Sequence, residues 1–597
     1  MMLWFLKDPE RLRVERAGIE ELSRTAKWLV GIEWRLDGEL CLDAIIRVHG
    51  HDYDVRVSFP ALYPDAPAIV RPRNMQHRIS SHQYGGPDGP LCLEWGPDNW
   101  HLDITAVQML ESAHRLLETE NPLGDDRPEI PVAASSRHRL TVGQELRGEW
   151  ARWYASRALF NYLAEQPEHS IGSFKFSFRN LDGILVGLVH EAMPLGGSAW
   201  KDDQIPTNLT GAEEHLSVGV WFKTELDGKT LGHPCKMAEF EVLLADMEGA
   251  KFLAMDGTSP VDGFQRPIGG ILIVDREGEM HLFVILSGET IIPCSKVQSE
   301  TPVQSRSPYS DELNGKTVGI VGMGSAGSKI AISLARMGVR KFYLVDYDVL
   351  LPENLQRHAL DWQGVVQLKA DAMTLAIGRV SPGTQVEVSC LHLTGQESSA
   401  SVSGALFRLA ACDLFIDATA NPRVFNLLAA VARTTSRPMI WLEVFGGGRG
   451  GLIARSRPGI DPTPQDMRSA YLQYCTENPE PTLRPGQANY TVESEDGEVL
   501  IASDADIAII AHHAARLVPD CFTPPGQSKF PYSMYLIGLT RGWVFEAPFA
   551  TIPISMESYA ATGWNDGKET ELRPQDVEFL QDLLQKHKNA TANSTGN

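Results

Sequence analysis

Residues 315–348 read GKTVGIVGMGSAGSKIAISLARMGVRKFYLVDYD. An apolar strand, TVGIV, runs into a turn carrying Gly322, Gly324 and Gly327. A helix of good formers follows, then a second apolar strand ending at Asp346. Glycines at this spacing let backbone approach a pyrophosphate, and the helix start offers free N–H groups and the positive end of its dipole. An acid closing the second strand is placed to accept from ribose hydroxyls. This spacing alone also suits a dinucleotide dehydrogenase, so the residues beyond it decide.

Those residues are rich in phosphate-binding and acidic groups. DVLLPENLQRHAL (348–360) carries Asp348, Asn354, Gln356 and Arg357, and Lys369 starts a helical pattern in GVVQLKADAMTLAIGRVSP. CDLFIDATANPRVFNLLAAVA (412–432) ends a strand at Asp417, with Asn421 and a helix after it. Hydride transfer does not need such a set, whereas cleaving ATP between its α and β phosphates does. The order resembles the ThiF-type adenylation fold of sulfur-carrier adenylyltransferases and ubiquitin-activating enzymes, over about residues 305–550. The resemblance implies ATP with Mg²⁺. It makes Asp346 the ribose contact, Arg357 and Lys369 the phosphate contacts, Asn354 a further triphosphate contact, and Asp417 the acid associated with Mg²⁺ through the nucleotide. It also implies a homodimer through this domain, with Arg306 a possible reach into the partner's site. The structural zinc of many relatives is not expected, because no C-x-x-C pair occurs.

Composition narrows the partners. The chain has 597 residues, a formal charge of −22 and eight cysteines, at 41, 92, 235, 294, 390, 412, 475 and 521. A strongly acidic balance argues against nucleic acid as main partner. No apolar run reaches the roughly 20 residues of a membrane span, and the start resembles no secretion signal. Cytoplasmic residence is expected, with thiols kept reduced.

The cysteine with the most pointed context is Cys92, in GPLCLEWGPDNW (89–100). Ahead of it an amphipathic helix is expected over 8–29, then strands, then FPALYPDAPAIVRPR, whose prolines exclude a central strand. Behind it a helix is expected near 103–119, capped by Asp103 or Thr105. This order resembles a ubiquitin-conjugating enzyme core over residues 1–130. Cys92 falls on that family's thioester cysteine, Tyr63, Pro64 and Pro67 on its proline loop, and Trp100 on its tryptophan. The family's His-Pro-Asn is absent: His77, Arg78 and Ile79 stand nearest. Another donor, His82 or a backbone N–H, would have to serve the oxyanion. The Gly/Pro flanks place Cys92 at an exposed, reactive edge. Cys41 reads as core.

Residues 131–150 read as a linker and 150–300 as a β-rich linker domain. Within it, His233-Pro234-Cys235 reads as a turn rather than a reactive pair. The adenylation domain is expected over 305–570, with a terminal helix over 574–588 and a polar tail over 589–597. The architecture is thus α/β and α+β in several domains. An activating enzyme usually captures its adenylate on its own cysteine. Cys390 and Cys412 read as packing. Cys521, opening CFTPPGQSKFP after a long helix, is preferred over Cys475 in AYLQYCTENPEP.

Fusions in this order resemble those of bacterial anti-phage operons of the CBASS type. They imply activation of a protein C-terminus, passage to Cys521 and then Cys92, and transfer to target lysines. The C-terminus would be that of a nucleotidyltransferase or of a ubiquitin-like protein. Alternatives are a sulfur-carrier adenylyltransferase with an inert N-terminal domain, a non-catalytic nucleotide scaffold and a dehydrogenase.

Overall fold

A computed structural model describes residues 3–124 (except 75, 77, 78, 81, 85 and 86), 142–206, 216–228, 239, 242, 268–298 (except 288 and 289), 308–479, 484–485, 491–493, 499–556, 559, 563–564 and 574–594. Arg306, His77, Arg78, His233 and Cys235 lie outside them, as does most of 131–150. The chain divides into two compact units, Met1–Gly148 and Glu149–Asn597.

The first unit is an antiparallel meander of β1 (Leu29–Asp37), β2 (Glu39–Val48), β3 (His51–Phe59) and β4 (Ile69–Pro72). Its first long helix is Pro9–Thr25, which stops short of the expected residue 29 because Leu29 already pairs with Ile46 in the sheet. Asp8 caps it by accepting from the Arg11 N–H. A second helix, Ala106–Glu120, begins after Thr105, whose N–H donates to the Gln108 side chain at 2.8 Å. One fully buried carboxylate ties these parts together. Glu15 accepts from Arg11 Nε at 2.7 Å, from the Tyr63 hydroxyl, and from the Ala106 N–H at 2.8 Å. Trp100 Nε1 donates to the Pro64 carbonyl at 2.7 Å, fastening the proline-rich segment.

The second unit contains two eight-stranded sheets. In the first, β5 (Ala151–Ala155), β6 (Ile171–Leu181), β7 (Ile184–Pro194), β8 (Trp200–Lys201), β9 (Ser217–Lys223), β10 (Ile268–Val274), β11 (Met280–Ser287) and β12 (Thr290–Gln298) run in the order β5-β12-β11-β10-β9-β6-β7-β8. Because β5 also pairs with β7, the sheet closes on itself, around Trp153, Phe174, Phe176 and Trp221. The β-rich segment therefore forms a closed barrel with its own core.

The second sheet has five parallel strands: β13 (Thr317–Val321), β14 (Lys341–Val345), β15 (Gln385–Ser389), β16 (Leu414–Asp417) and β17 (Met439–Phe445), in the order β15-β14-β13-β16-β17. Antiparallel β18 (Gly450–Ser456) and the strands Met534–Gly538 and Thr551–Pro553 extend it. This is a Rossmann-like doubly wound sheet, whose strand order reverses between β13 and β16. Helices Ser325–Met337, Lys369–Val380 and Asp504–Asp520 contribute to one apolar cluster, and Ser399–Ala411 and Pro422–Thr435 to another. The terminal helix runs Pro574–Ser594, continuing into the segment expected to be a polar tail; alanines and polar residues there do not break a helix.

Candidate functional site

A cavity of 530 Å³ opens at the carboxyl ends of β13, β14 and β16, where a doubly wound sheet binds its ligand. It is lined by Gly322, Gly324, Asp346, Asn354, Arg357 and Lys369, so the fold gathers these residues from four sequence segments. Gly322 takes φ +90°, a conformation L side chains rarely adopt. Its N–H donates to the Val345 carbonyl at 2.8 Å. Asp346 accepts from the Met323 N–H at 2.6 Å and the Asp348 N–H at 2.7 Å, pinning the glycine turn to the end of β14. Burial raises its pKa against those hydrogen bonds and nearby Lys369. Lys369 is 5% exposed and paired with Asp348, another lining residue.

Two expected ligand residues lie elsewhere. Gly327 does not line the cavity. A Cβ there would stand 1.8 Å from the Gly322 carbonyl oxygen, so its lack of a side chain serves the packing of helix against turn. Asp417 is 3% exposed and also does not line the cavity. Its carboxylate accepts from the Thr419 N–H at 2.9 Å and the Thr419 hydroxyl at 2.6 Å, and burial pushes it up to about 6. It caps the turn that carries Thr419, Ala420 and Asn421 to the cavity wall. Among the described residues the lining carboxylates are Asp346, Asp348 and Glu443.

The structure adds residues that sequence reasoning passed over. Lys329, in the helix after the glycine turn, donates to the Arg357 carbonyl and pairs with Asp504 at 2.7 Å, linking three cavity segments. His358 is buried, with Nε2 at 2.7 Å from the Met323 carbonyl; burial pushes it down to about 4. Gly446, Gly447 and Gly448 form a further wall, all with positive φ. Three consecutive glycines at a strand end were the available signal.

The thiols differ from expectation. Cys92 is only 8% exposed, against the exposed edge expected for it. The chain folds back on itself there: Cys92 N–H donates to the His82 carbonyl at 2.6 Å, and the Tyr84 side chain lies beside the thiol. Cys521 ends the helix Asp504–Asp520, half-buried, and does not line the cavity. Burial raises its pKa; Arg455 and Arg457 oppose this, while Asp461 and Asp520 add to it. Cys475 is half-buried near the end of the helix Pro464–Glu477 and is also absent from the cavity wall. Cys41 is buried, Cys412 is buried with its pKa pushed up to about 12, and Cys390 is exposed. Among the described residues no group of three or more His, Cys, Asp or Glu is placed to hold a metal, and no helix is long and apolar enough to cross a membrane.

The ThiF family model matches residues 304–483. An uncharacterised Sinorhizobium fredii protein, y4qC, is 30% identical over 490 residues, which cover 75% of this chain and 80% of that protein. The chain belongs to this family of ThiF-domain proteins. The Pseudomonas aeruginosa ATP-dependent ubiquitin transferase-like protein Cap2 is 29% identical over 178 residues, 29% of this chain and 30% of that protein. A Caenorhabditis briggsae ubiquitin-like modifier-activating enzyme 5 is 32% identical over 90 residues, covering 15% of this chain and 20% of that protein. Thus this chain matches less than a third of each of the two named enzymes. The solved structure of E. coli MccB with ATP overlaps 41% of this chain and 66% of that chain, at TM-score 0.31 and 16% identity. The ThiF match includes the glycine turn, Asp346, Asn354, Arg357, Lys369 and Asp417.

Proposed function

We propose that this ThiF-domain protein activates the C-terminal carboxylate of a protein with ATP and passes the acyl group through thioesters to amines. The observation that carries the reading is the cavity, where a glycine turn, Asn354, Arg357 and Lys369 face Asp346 across one volume. Asp346 would accept from the ribose, and the turn's N–H groups would meet the phosphates. Arg357 and Lys369 would neutralise charge on departing pyrophosphate as the carboxylate attacks the α phosphorus. Asp348 moderates Lys369 until phosphate replaces it as partner. Mg²⁺ would arrive with the triphosphate, supplying charge neutralisation. Asp417, aimed at Thr419 rather than the cavity, shapes the wall instead of touching the metal; Glu443 is the lining acid on the neighbouring strand.

In the first unit, a four-stranded meander with a helix on either side in sequence and Cys92 before the second helix is consistent with a conjugating role. Cys521 is the first candidate for the intermediate thiol and Cys475 the alternative. The name of the Cap2 relative supports ubiquitin-like transfer, and the operon resemblance points to a nucleotidyltransferase C-terminus with lysine targets. A dedicated ubiquitin-like protein is the second reading. Both place the enzyme in the cytoplasm and pair two copies through the ThiF domain.

The test is ATP–pyrophosphate exchange with each candidate protein, followed by non-reducing electrophoresis. Exchange with one candidate and a reductant-sensitive adduct missing in Cys92→Ala is expected. Exchange without any adduct would leave a sulfur-carrier type of adenylyltransferase; no exchange with any candidate would remove the proposal.

A further inference from the structure

We propose that Tyr84 is a catalytic residue of the Cys92 site, its hydroxyl donating to the oxyanion formed when an amine attacks the Cys92 thioester. This rests on the conjugating role assigned to Cys92 above. The geometry comes from the local chain fold. Gln83 and Leu91 form an antiparallel bridge, flanked by hydrogen bonds from Tyr84 N–H to the Pro90 carbonyl at 2.9 Å and from Cys92 N–H to the His82 carbonyl at 2.6 Å. Side chains alternate across such a ladder. Gln83 and Leu91 are 2% and 5% exposed: the Gln83 amide donates to the Pro87 and Gly89 carbonyls, and Leu91 packs in the core. His82, Tyr84, Pro90 and Cys92 therefore share the other face.

On that face the Tyr84 side chain lies close to the Cys92 sulfur. Behind them, His82 Nδ1 pairs with Glu120, a buried residue at the end of the helix Ala106–Glu120. That pairing holds the His82 backbone, and through its carbonyl the Cys92 N–H.

The chemistry needs such a donor. A neutral lysine nitrogen attacks the thioester carbon, a C–N bond forms, and the carbonyl π pair moves onto oxygen. Collapse reforms C=O and breaks C–S, leaving an amide and the Cys92 sulfur, which takes the proton released by nitrogen. The carbonyl oxygen is two bonds from sulfur, so a hydroxyl beside the sulfur of the free enzyme is close to that oxygen in the thioester. The sequence carries no His-Pro-Asn ahead of Cys92. Burial and the neighbouring thiol and Asp98 raise the Tyr84 pKa, so the phenol stays protonated at neutral pH and acts as a donor.

The experiment uses the full chain and needs no natural partner. A short glycine-terminated peptide, supplied as its mercaptoethanesulfonate thioester, charges cysteines by exchange; peptide mapping quantifies the fraction on Cys92. Free lysine is then added and loss of that adduct followed by mass. Tyr84→Phe is expected to charge Cys92 as fully as wild type, which shows the site is folded, and to discharge to lysine about 10²-fold more slowly. Equal discharge by wild type and Tyr84→Phe overturns this inference while leaving Cys92 as the conjugating thiol. No charging of Cys92 in wild type overturns the conjugating role and this inference with it. A Tyr84→Phe chain that does not charge is compared with Tyr84→His, which keeps a ring and a donor. Charging and discharge restored by histidine support the inference, and loss in both assigns Tyr84 to packing alone and overturns it.

Discussion

Lys369 is held almost out of water with one carboxylate, Asp348, as its charged partner. In the proposed reaction a phosphate would take the place of Asp348 as the partner of this charge. Lys369→Ala is expected to lower ATP–pyrophosphate exchange by about 10²-fold, the scale of losing one preorganised group on a developing anion. The initial exchange rate at saturating ATP checks it. His358 supports a pH prediction at the same scale. Its folded pKa of about 4 lies below its ordinary 6.5, so the unfolded chain binds more protons between these values. Its contribution is therefore full above pH 6.5 and is lost as pH falls toward 4. Between pH 7 and pH 5 the ThiF-containing unit should lose about 2 kcal/mol through this residue. Asp417, raised to about 6, acts in the opposite sense: its neutral form is favoured in the fold, and stability drops as pH rises from about 4 to 6. Comparing the urea midpoints of wild type and His358→Gln at pH 7 and 5 isolates the histidine; a wild-type loss no larger than that of the variant would contradict the assignment. Chemical type and order singled out Asp346, Asn354, Arg357 and Lys369, and all four line the cavity. The direction of Asp417 was not legible, because an acid ending a strand reads alike whether it faces a ligand or caps its own turn.

At the scale of elements, the junction of β13 with the helix Ser325–Met337 depends on two glycines with different duties. Gly322 supplies the positive φ of the turn, and Gly327 lets the helix sit on it. Gly327→Ala would drive a methyl into the Gly322 carbonyl, so the turn must move and nucleotide binding should fall at least 10-fold. Gly404, in the helix Ser399–Ala411, has nothing within 4 Å of an added Cβ. Gly404→Ala should stabilise by about 0.5–1 kcal/mol and leave binding unchanged. Calorimetric titration with ATP and thermal melting of both variants test the pair. Sequence period and glycine spacing foretold β13, the glycine turn and the helix after it, because strand, turn and helix are short-range features. The helix expected over 8–29 ended at Thr25, because Leu29 belongs to the first strand of a hairpin and pairs with Ile46.

At the scale of the molecule, each compact unit has its own core. Glu15 is the anchor of the first, joining Arg11, Tyr63 and the start of the helix Ala106–Glu120. Removing its carboxylate leaves the Ala106 N–H and the Tyr63 hydroxyl without that acceptor. Glu15→Ala should destabilise the unit Met1–Gly148 by about 3–5 kcal/mol. ATP–pyrophosphate exchange, which the proposal assigns to the other unit, should persist. Scanning calorimetry should show one transition moved down and the rest unmoved; a uniform shift of all transitions would show that the units melt together.

Sequence alone determined what depends on neighbours along the chain: the glycine turn and its acid, the proline-rich segment, and the alternation of strands and helices after residue 315. Only the tertiary structure decided what depends on distant neighbours. It closed β5 onto both β7 and β12, turned Asp417 toward Thr419 and folded Tyr84 over Cys92. Burial is set by which surfaces meet, and residues remote in sequence bring those surfaces together. A thiol between leucines is therefore covered or open according to contacts that its own flanks do not specify.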